Sequence, residues 1–252
     1  MKQFPALFRY SGNKRKIVPL LRRPPKHKRL VEGYLGSGSF ILRYGGPALG
    51  MDINEDIVEL WRWLKNEATP KSLRELRTQV DKLVEETEDH KPDVRELNLA
   101  RGPETYVRVN CSGVYAGQLS SWILYPQHKL PVDQTVKLLS MLEDIEVAHG
   151  SAESYQEQDG DVLFLDPPYI GTSGNYKEQA KSGIEEGYTP QQTIDLISRV
   201  ECPIILTYGD GAPDIFPDYE WEVVLTRKVP RIRTGGTLER TEYVSYINWS
   251  EI

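Results

Sequence analysis

One tetrapeptide concentrates the chemistry open to this chain: Asp166-Pro167-Pro168-Tyr169, directly behind Val162-Leu163-Phe164-Leu165. Four consecutive apolar residues without polar alternation suit a strand buried on both faces, as in a parallel sheet. Such a strand delivers Asp166 at its tip, where two prolines stop the ladder and stiffen the turn. Tyr169 then offers an aromatic plate beside a carboxylate, on a backbone with little freedom. Ligands of open α/β sheets bind outside the carboxyl ends of strands, so chemistry is expected at this tip. The plainer reading is a proline turn that closes a strand, with Tyr169 packed inward. Average residue frequencies put this tetrapeptide in a chain of 252 residues at about one in a thousand by chance.

Three earlier stretches could position a ligand against that carboxylate. Residues 9–20 read Arg-Tyr-Ser-Gly-Asn-Lys-Arg-Lys-Ile-Val-Pro-Leu. A glycine ahead of a lysine-rich start to an apolar segment makes a turn rich in backbone N–H groups and positive charge, suited to a carboxylate or phosphate. Residues 30–40 run from a strand into Gly36-x-Gly38, which lets backbone approach a ligand closely before a helix begins. Ile41 stands where a dinucleotide site would have its third glycine, and a glycine-rich turn without a ligand is the alternative. Ala48–Met51 gives a second short strand ending in Asp52-Ile53-Asn54. Asp52 can accept hydrogen bonds from both ribose hydroxyls, or it can serve as a cap. Asn54 can cap a helix whose Ile57, Leu60, Trp61 and Leu64 share one face.

From about residue 66 the character changes. Ser72-x-x-Glu75 reads as a capping box, and Leu73, Leu76, Val80 and Leu83 mark a helix. Residues 106–118 mix small residues, aromatics and amides and read as a loop or hairpin. They carry Arg108, Asn110 and Gln118, side-chain types that pair with base edges. Residues 131–142 read as a helix and Ile145–His149 as a third strand. After Tyr169, residues 170–187 are rich in Gly, Ser and Lys and read as a mobile loop over the site. Thr189-Pro190 starts a helix, and strands follow at Ile204–Thr207, Trp221–Leu225 and Glu242–Ile247. An arginine-rich connection, Arg231–Arg240, precedes the last one.

The net charge is −6, which weighs mildly against nucleic acid, but residues 1–31 hold ten Lys or Arg and no acid. A second basic run holds Arg227, Lys228, Arg231, Arg233 and Arg240 against Glu239 alone. These runs could line one face, or they could be ordinary solvated surface. Cys111 and Cys202 stand far apart and the four histidines are scattered, so neither a disulfide framework nor a metal site is expected. No apolar run reaches membrane-spanning length, and the basic N-terminus lacks an apolar signal core. A cytoplasmic protein without a membrane partner is the expectation.

Asp-Pro-Pro-Tyr is the signature of methyltransferases that act on the exocyclic amino group of adenine. The order of motifs resembles the Dam-like DNA adenine methyltransferases over nearly the whole chain. Tyr10 and Lys14 fall where that family contacts S-adenosylmethionine, with Tyr10 at a position usually held by Trp. Glu32-x-Tyr34-x-Gly36-x-Gly38-Ser39 resembles its Glu-x-Phe-x-Gly-x-Gly pattern, and Asp52 matches its ribose ligand. Residues 106–118 occupy the place of its target-recognition element. Family members often carry an acid after the third strand, where Gly150-Ser151-Ala152 stands in this chain.

The resemblance implies an α/β, Rossmann-like methyltransferase fold with a mostly parallel seven-stranded sheet and helices on both faces. Residues 1–65 and 145–252 would form the catalytic domain, with 66–144 an inserted target-recognition region. It assigns Tyr10, Lys14, Glu32, Tyr34, Gly36, Gly38, Ser39, Asp52 and Asp166 to S-adenosylmethionine. Catalysis falls to Asp166, Pro167, Pro168 and Tyr169. Double-stranded DNA would meet Lys14, Arg15, Arg108, Asn110, Gln118, Arg231 and Arg233. No metal is implied, and a cognate restriction endonuclease is a partner that the resemblance allows. Adenine's amino nitrogen is a poor nucleophile. Acceptors on both of its hydrogens, the Asp166 carboxylate and the Pro167 carbonyl, would favour a pyramidal nitrogen with its lone pair free, while Tyr169 stacks on the flipped base. The alternatives are an RNA adenine methyltransferase and a silent DNA-binding module on the same fold. A nicotinamide-dependent dehydrogenase is more distant, given Ile41.

Overall fold

The computed structural model describes residues 6–10, 12–87, 91–112, 121–125, 127–169, 188–230 and 237–249. Seven strands form one sheet: β1 (Arg29–Glu32), β2 (Ala48–Asp52), β3 (Ile145–His149), β4 (Asp161–Leu165), β5 (Ile204–Tyr208), β6 (Glu222–Pro230) and β7 (Thr237–Ile247). Their order is β3-β2-β1-β4-β5-β7-β6. The first five in that order run parallel, and β7 is antiparallel to both of its neighbours.

Period-two alternation explains the layers. Leu30, Val162, Phe164, Ile205 and Val244 face one way and join the core that also takes in Phe40, Ile41, Ile57 and Trp61. Val31, Leu163, Leu165, Ile204 and Leu206 face the other way, against Leu196 and Ile197. Helices therefore cover both faces, and every residue of β4 and of β5 is buried. This is why Val162–Leu165 reads as an unbroken apolar run and β5 opens on Ile204-Ile205-Leu206. The result is the α/β, Rossmann-like arrangement expected from the motif order.

The helices on the first face are α1 (Ser39–Tyr44), α2 (Glu55–Asn66), α3 (Pro70–Glu86), α4 (Arg101–Cys111) and α5 (Val132–Leu138). On the second lies α6 (Pro190–Ser198), and a short α7 (Ala212–Ile215) follows β5. Asn54 caps α2 as expected, its side chain accepting from Asp56 N at 3.0 Å. The cap of α3 lies three residues before the expected one. Thr69 and Ser72 exchange side-chain and backbone hydrogen bonds, and Pro70 takes the first helical position. Proline is pre-set for that place and lacks only an N–H that would be orphaned anyway, so it fixes the preceding threonine as the cap.

Residues 106–111 correct part of the expectation made for 106–118, of which 113–118 lie outside the described residues. With residues 101–105 they form helix α4, not a loop or hairpin, with Tyr106, Val107, Val109 and Cys111 buried in the main core. Tertiary packing on α2 overrides the small and polar residue types that suggested a loop. The helix expected over 131–142 is present, with its last turn tightened to a 3₁₀ helix at Leu139–Leu142. Strands β6 and β7 are longer than expected, so Arg227 and Lys228 pair with Arg240 and Glu239 inside a hairpin. The proposed loop over 170–187, and Gln118, Arg231 and Arg233, lie outside the described residues. Among the described residues no helix is long and apolar enough to cross a membrane.

Candidate active site

Strand order reverses between β1 and β4: β1 is followed by β2 on one side, β4 by β5 on the other. Chain leaving the carboxyl ends of two such strands diverges and opens a crevice, where open α/β sheets bind ligands. Glu32 ends β1 opposite Phe164, and Asp166 lies just past the end of β4. Asp52 ends β2 on the far side of β1. The sheet alone therefore brings together carboxylates that are up to 134 positions apart in sequence.

The turn after β1 is held from three directions. Gly36 N–H donates to Asp52 Oδ2 at 2.8 Å, and Gly36 carbonyl accepts from Trp61 Nε1 at 2.9 Å. Gly38 has φ +63°, and a Cβ there would sit 2.4 Å from the Trp61 ring. Only glycine fits both the left-handed backbone and the ring beneath it. The Tyr10 ring lies against the same turn at Gly36. Ser39 is buried with Ser37, their hydroxyls 3.3 Å apart.

Gly38 is the N-cap of α1 and has no side chain with which to cap it. Glu32 reaches up from β1 in its place. Its carboxyl accepts from Ile41 N–H at 3.1 Å and, at a longer 3.5 Å, from Phe40 N–H. Burial pushes the Glu32 pKa up to about 8, with the nearby Asp166 adding to the rise and Lys14 opposing it. Glu32 thus supports the turn from below, spending its oxygens on protein backbone. Asp52 accepts from Gly36 N–H and from Asn54 N–H at 2.9 Å. Burial pushes its pKa up too. Each of its carboxylate oxygens retains a further lone pair.

Asp166 is gripped on both oxygens. Lys14 Nζ donates to Oδ2 at 2.6 Å and to the Gly12 carbonyl at 3.1 Å. On Oδ1, Thr207 Oγ1 lies at 3.1 Å and the Tyr169 hydroxyl at 3.3 Å. The Asp166 side chain is 17% exposed, so it is neither sealed in the core nor freely solvated. The Tyr169 hydroxyl donates more closely to Glu242 Oε2, at 2.8 Å. Burial, and then the charges of Asp166 and Glu242, hold the Tyr169 pKa well above the ordinary phenol value. Its ring leans on Tyr208, with centroids 4.6 Å apart and 46° between planes. The Tyr208 hydroxyl donates to the Pro168 carbonyl at 3.5 Å, a long contact that braces the proline turn.

Tyr34 points to the other side of β1. Its hydroxyl donates to Glu153 Oε1 at 3.1 Å and lies 3.1 Å from Thr193 Oγ1, with Tyr188 edge-on. An acid therefore does stand beyond β3, at Glu153, just past the Gly150-Ser151-Ala152 turn. Arg15 is half-buried in the turn that precedes the 3₁₀ helix Val18–Leu20. Arg108 and Asn110 are engaged within the protein. The Arg108 guanidinium sits 3.7 Å over the Trp122 ring, with Asp56 and Glu104 at 3.9 and 3.8 Å. Asn110 accepts from Arg9 N–H at 3.0 Å and donates to the Tyr106 carbonyl at 2.8 Å. It ties the segment bearing Tyr10 to α4. Much of the N-terminal positive charge is also matched internally, Arg22 by Glu222, Lys28 by Asp159 and Arg29 by Asp161.

Sequence reasoning missed Thr207, Glu242 and Glu153. Each lies in a stretch that reads as a strand or turn, and only the folded sheet shows its neighbour. Among the described residues no group of His, Cys, Asp and Glu is arranged to hold a metal ion.

Residues 10–116 match the family model described as D12 class N6 adenine-specific DNA methyltransferase. The span takes in Tyr10, Lys14, Glu32, Gly36 and Asp52 and ends before β4. The chain is similar to the type II methyltransferase M1.LlaDCHI of Lactococcus lactis subsp. cremoris, 24% identical over 190 residues and 66% of each chain. It is also similar to the retron Ec67 DNA adenine methylase of Escherichia coli, 24% identical over 270 residues, covering 95% of this chain and 90% of the relative.

Proposed function

We propose, from the match of residues 10–116 to the D12 class N6 adenine-specific DNA methyltransferase model, that this chain transfers a methyl group from S-adenosylmethionine to the N6 amino group of an adenine flipped out of duplex DNA, at a defined target sequence. One observation carries the reading. The Asp166 carboxylate is fixed at the switch point of the sheet, on the edge that also presents the Gly36 turn and Asp52.

The donor set on that edge fits S-adenosylmethionine. Asp52 suits ribose hydroxyls, the Gly36–Gly38 turn admits close backbone contact, and Lys14 with Tyr10 borders the same space. Bound there, the cofactor supplies an electrophilic methyl on a sulfonium. The protein's task is then position. Asp166 accepts one hydrogen of the amino group, the Pro167 carbonyl accepts the other, and Tyr169 stacks on the base. The nitrogen lone pair is directed outward, and positive charge developing on nitrogen is stabilised by the Asp166 carboxylate. The N–C bond forms as the C–S bond breaks, and the surplus N–H proton departs past Asp166 to water. No covalent enzyme intermediate is required.

Rotating the adenine out of the duplex costs a few kcal/mol, and aromatic stacking returns about 1–3 kcal/mol of it. Arg15, Gln118, Arg231 and Arg233 remain our proposed DNA contacts. The internal engagement of Lys14, Arg108 and Asn110 makes them supports of the site and the fold in this reading, not DNA contacts. Residues 66–144 would carry target recognition, in a cytoplasmic enzyme, and a cognate restriction endonuclease would be its natural companion.

Labelled methyl transfer to duplex DNA tests the proposal. Asp166→Ala should lower the rate by about a hundredfold or more while calorimetry still finds S-adenosylmethionine bound. Wild-type transfer to matched RNA and not to DNA would overturn it.

A further inference from the structure

We propose that Glu242 is a positioning residue that keeps the Tyr169 hydroxyl proton off Asp166, leaving one Asp166 oxygen open to the substrate amino group. The inference rests on the proposed methyl transfer and goes beyond it, to a carboxylate on β7 that no motif marks.

Tyr169 presents one proton to two carboxylates. Glu242 Oε2 is 2.8 Å from the hydroxyl and Asp166 Oδ1 is 3.3 Å away. A phenol hydroxyl donates a single hydrogen bond, and the shorter contact takes it. Asp166 Oδ2 is already held by Lys14 at 2.6 Å, so Oδ1, away from the ammonium, is the better acceptor for substrate. Oδ1 has two lone pairs in the carboxylate plane, and Thr207 Oγ1 approaches one of them at 3.1 Å. If Tyr169 filled the other, Oδ1 would be closed to an adenine amino hydrogen, and only the second lone pair of Oδ2, on the oxygen bound to the Lys14 ammonium, would remain. Glu242 prevents this by offering the phenol a closer partner.

Glu242 is itself fixed. It is 8% exposed, pairs across the hairpin with Leu225, and its other oxygen lies 3.6 Å from Arg227 Nη2. A charged acceptor held this firmly forms a stronger bond to the phenol than a loose one would. The arrangement also orients the Tyr169 ring, because the hydroxyl is tethered at its far end.

The test measures methyl transfer by the full-length protein to a duplex oligonucleotide under single turnover, with S-adenosylmethionine binding followed separately by calorimetry. Glu242→Ala should slow transfer by about 10- to 100-fold, the span of one charge-assisted hydrogen bond, with cofactor binding retained. The diagnostic is the double variant. Glu242→Ala combined with Tyr169→Phe removes the competing hydroxyl and should turn over faster than Glu242→Ala alone. Glu242→Gln keeps one acceptor oxygen and should fall less than Glu242→Ala. Glu242→Met keeps the side-chain length without an acceptor, so it carries the same comparison if the alanine variant does not fold. Transfer by Glu242→Ala at the wild-type rate, or a double variant no faster than the single, would overturn the inference alone. A wild-type protein that methylates no DNA would overturn the proposed function and this inference together.

Discussion

Glu32→Gln gives the sharpest check on how the turn after β1 is supported. The Glu32 carboxyl is buried between the end of β1 and the first N–H groups of α1, and its pKa rises from 4.5 to about 8. An acid whose folded pKa exceeds its unfolded one binds its proton more tightly in the folded chain. Its contribution to stability is therefore fully present below pH 4.5 and is lost as pH climbs through about 8. Within that window stability should fall by up to about 1.4 kcal/mol per pH unit, or about 4–5 kcal/mol in all. The closest charged neighbours, Asp166 and Lys14, act in opposite senses and do not reverse this sign.

Glutamine keeps the shape and the acceptor needed by Ile41 N–H, and gives up only the longer contact to Phe40. A protonated glutamic acid makes nearly the same compromise. The wild type and the variant should therefore match within about 1 kcal/mol at pH 5, and the variant should be the more stable by pH 8 and above. Urea unfolding at half-unit pH steps reads the difference, and subtracting the two curves cancels every other titrating group. Parallel curves from pH 5 to pH 9 would refute the reasoning, since they would mean that Glu32 ionises in the folded chain as it does in water.

Two further perturbations separate support from contact. Gly38→Ala forces a left-handed φ of +63° on a residue with a Cβ and drives that Cβ into the Trp61 ring. It should cost about 2–4 kcal/mol in thermal unfolding and weaken cofactor binding, because Trp61 also holds the Gly36 carbonyl. Arg108→Ala removes a guanidinium stacked on Trp122 beside Asp56 and Glu104. It should lower stability by about 2 kcal/mol with the salt dependence of DNA binding unchanged, whereas Arg231→Ala and Arg233→Ala should each reduce the salt slope by about 1.

What could be read from the sequence divides along physical lines. Strand β4 was legible because burial on both faces leaves an unbroken apolar run, and α2 because Ile57, Leu60, Trp61 and Leu64 keep a single helical face. The Gly36–Asp52 relation was legible as motif spacing, although not as the direct 2.8 Å hydrogen bond it proves to be. Helix α4 was not, since Arg108 and Asn110 interrupt its apolar face and are satisfied by partners brought from α2 and from residue 9. The Asp166 environment was legible only in part. Lys14 reaches it across 152 positions and Thr207 across 41, and no local pattern announces such partners. Glu242 is invisible for the same reason, in a strand where one more polar residue is ordinary.

Those long-range partners bear on why two acceptors must serve one amino group. A carboxylate at the rim of a packed sheet, 17% exposed, needs a cation close by if burial is not to be costly. Lys14 provides it at 2.6 Å and in doing so occupies Oδ2. Oδ1, the oxygen not bound to the ammonium, is then the better acceptor Asp166 offers, one for a substrate whose amino group carries two hydrogens. The second hydrogen needs an acceptor from outside this carboxylate, and the Pro167 carbonyl is the next one along the chain, on a turn stiffened by two prolines. Seen this way, the second acceptor follows from the ion pair that allows Asp166 to sit where it does.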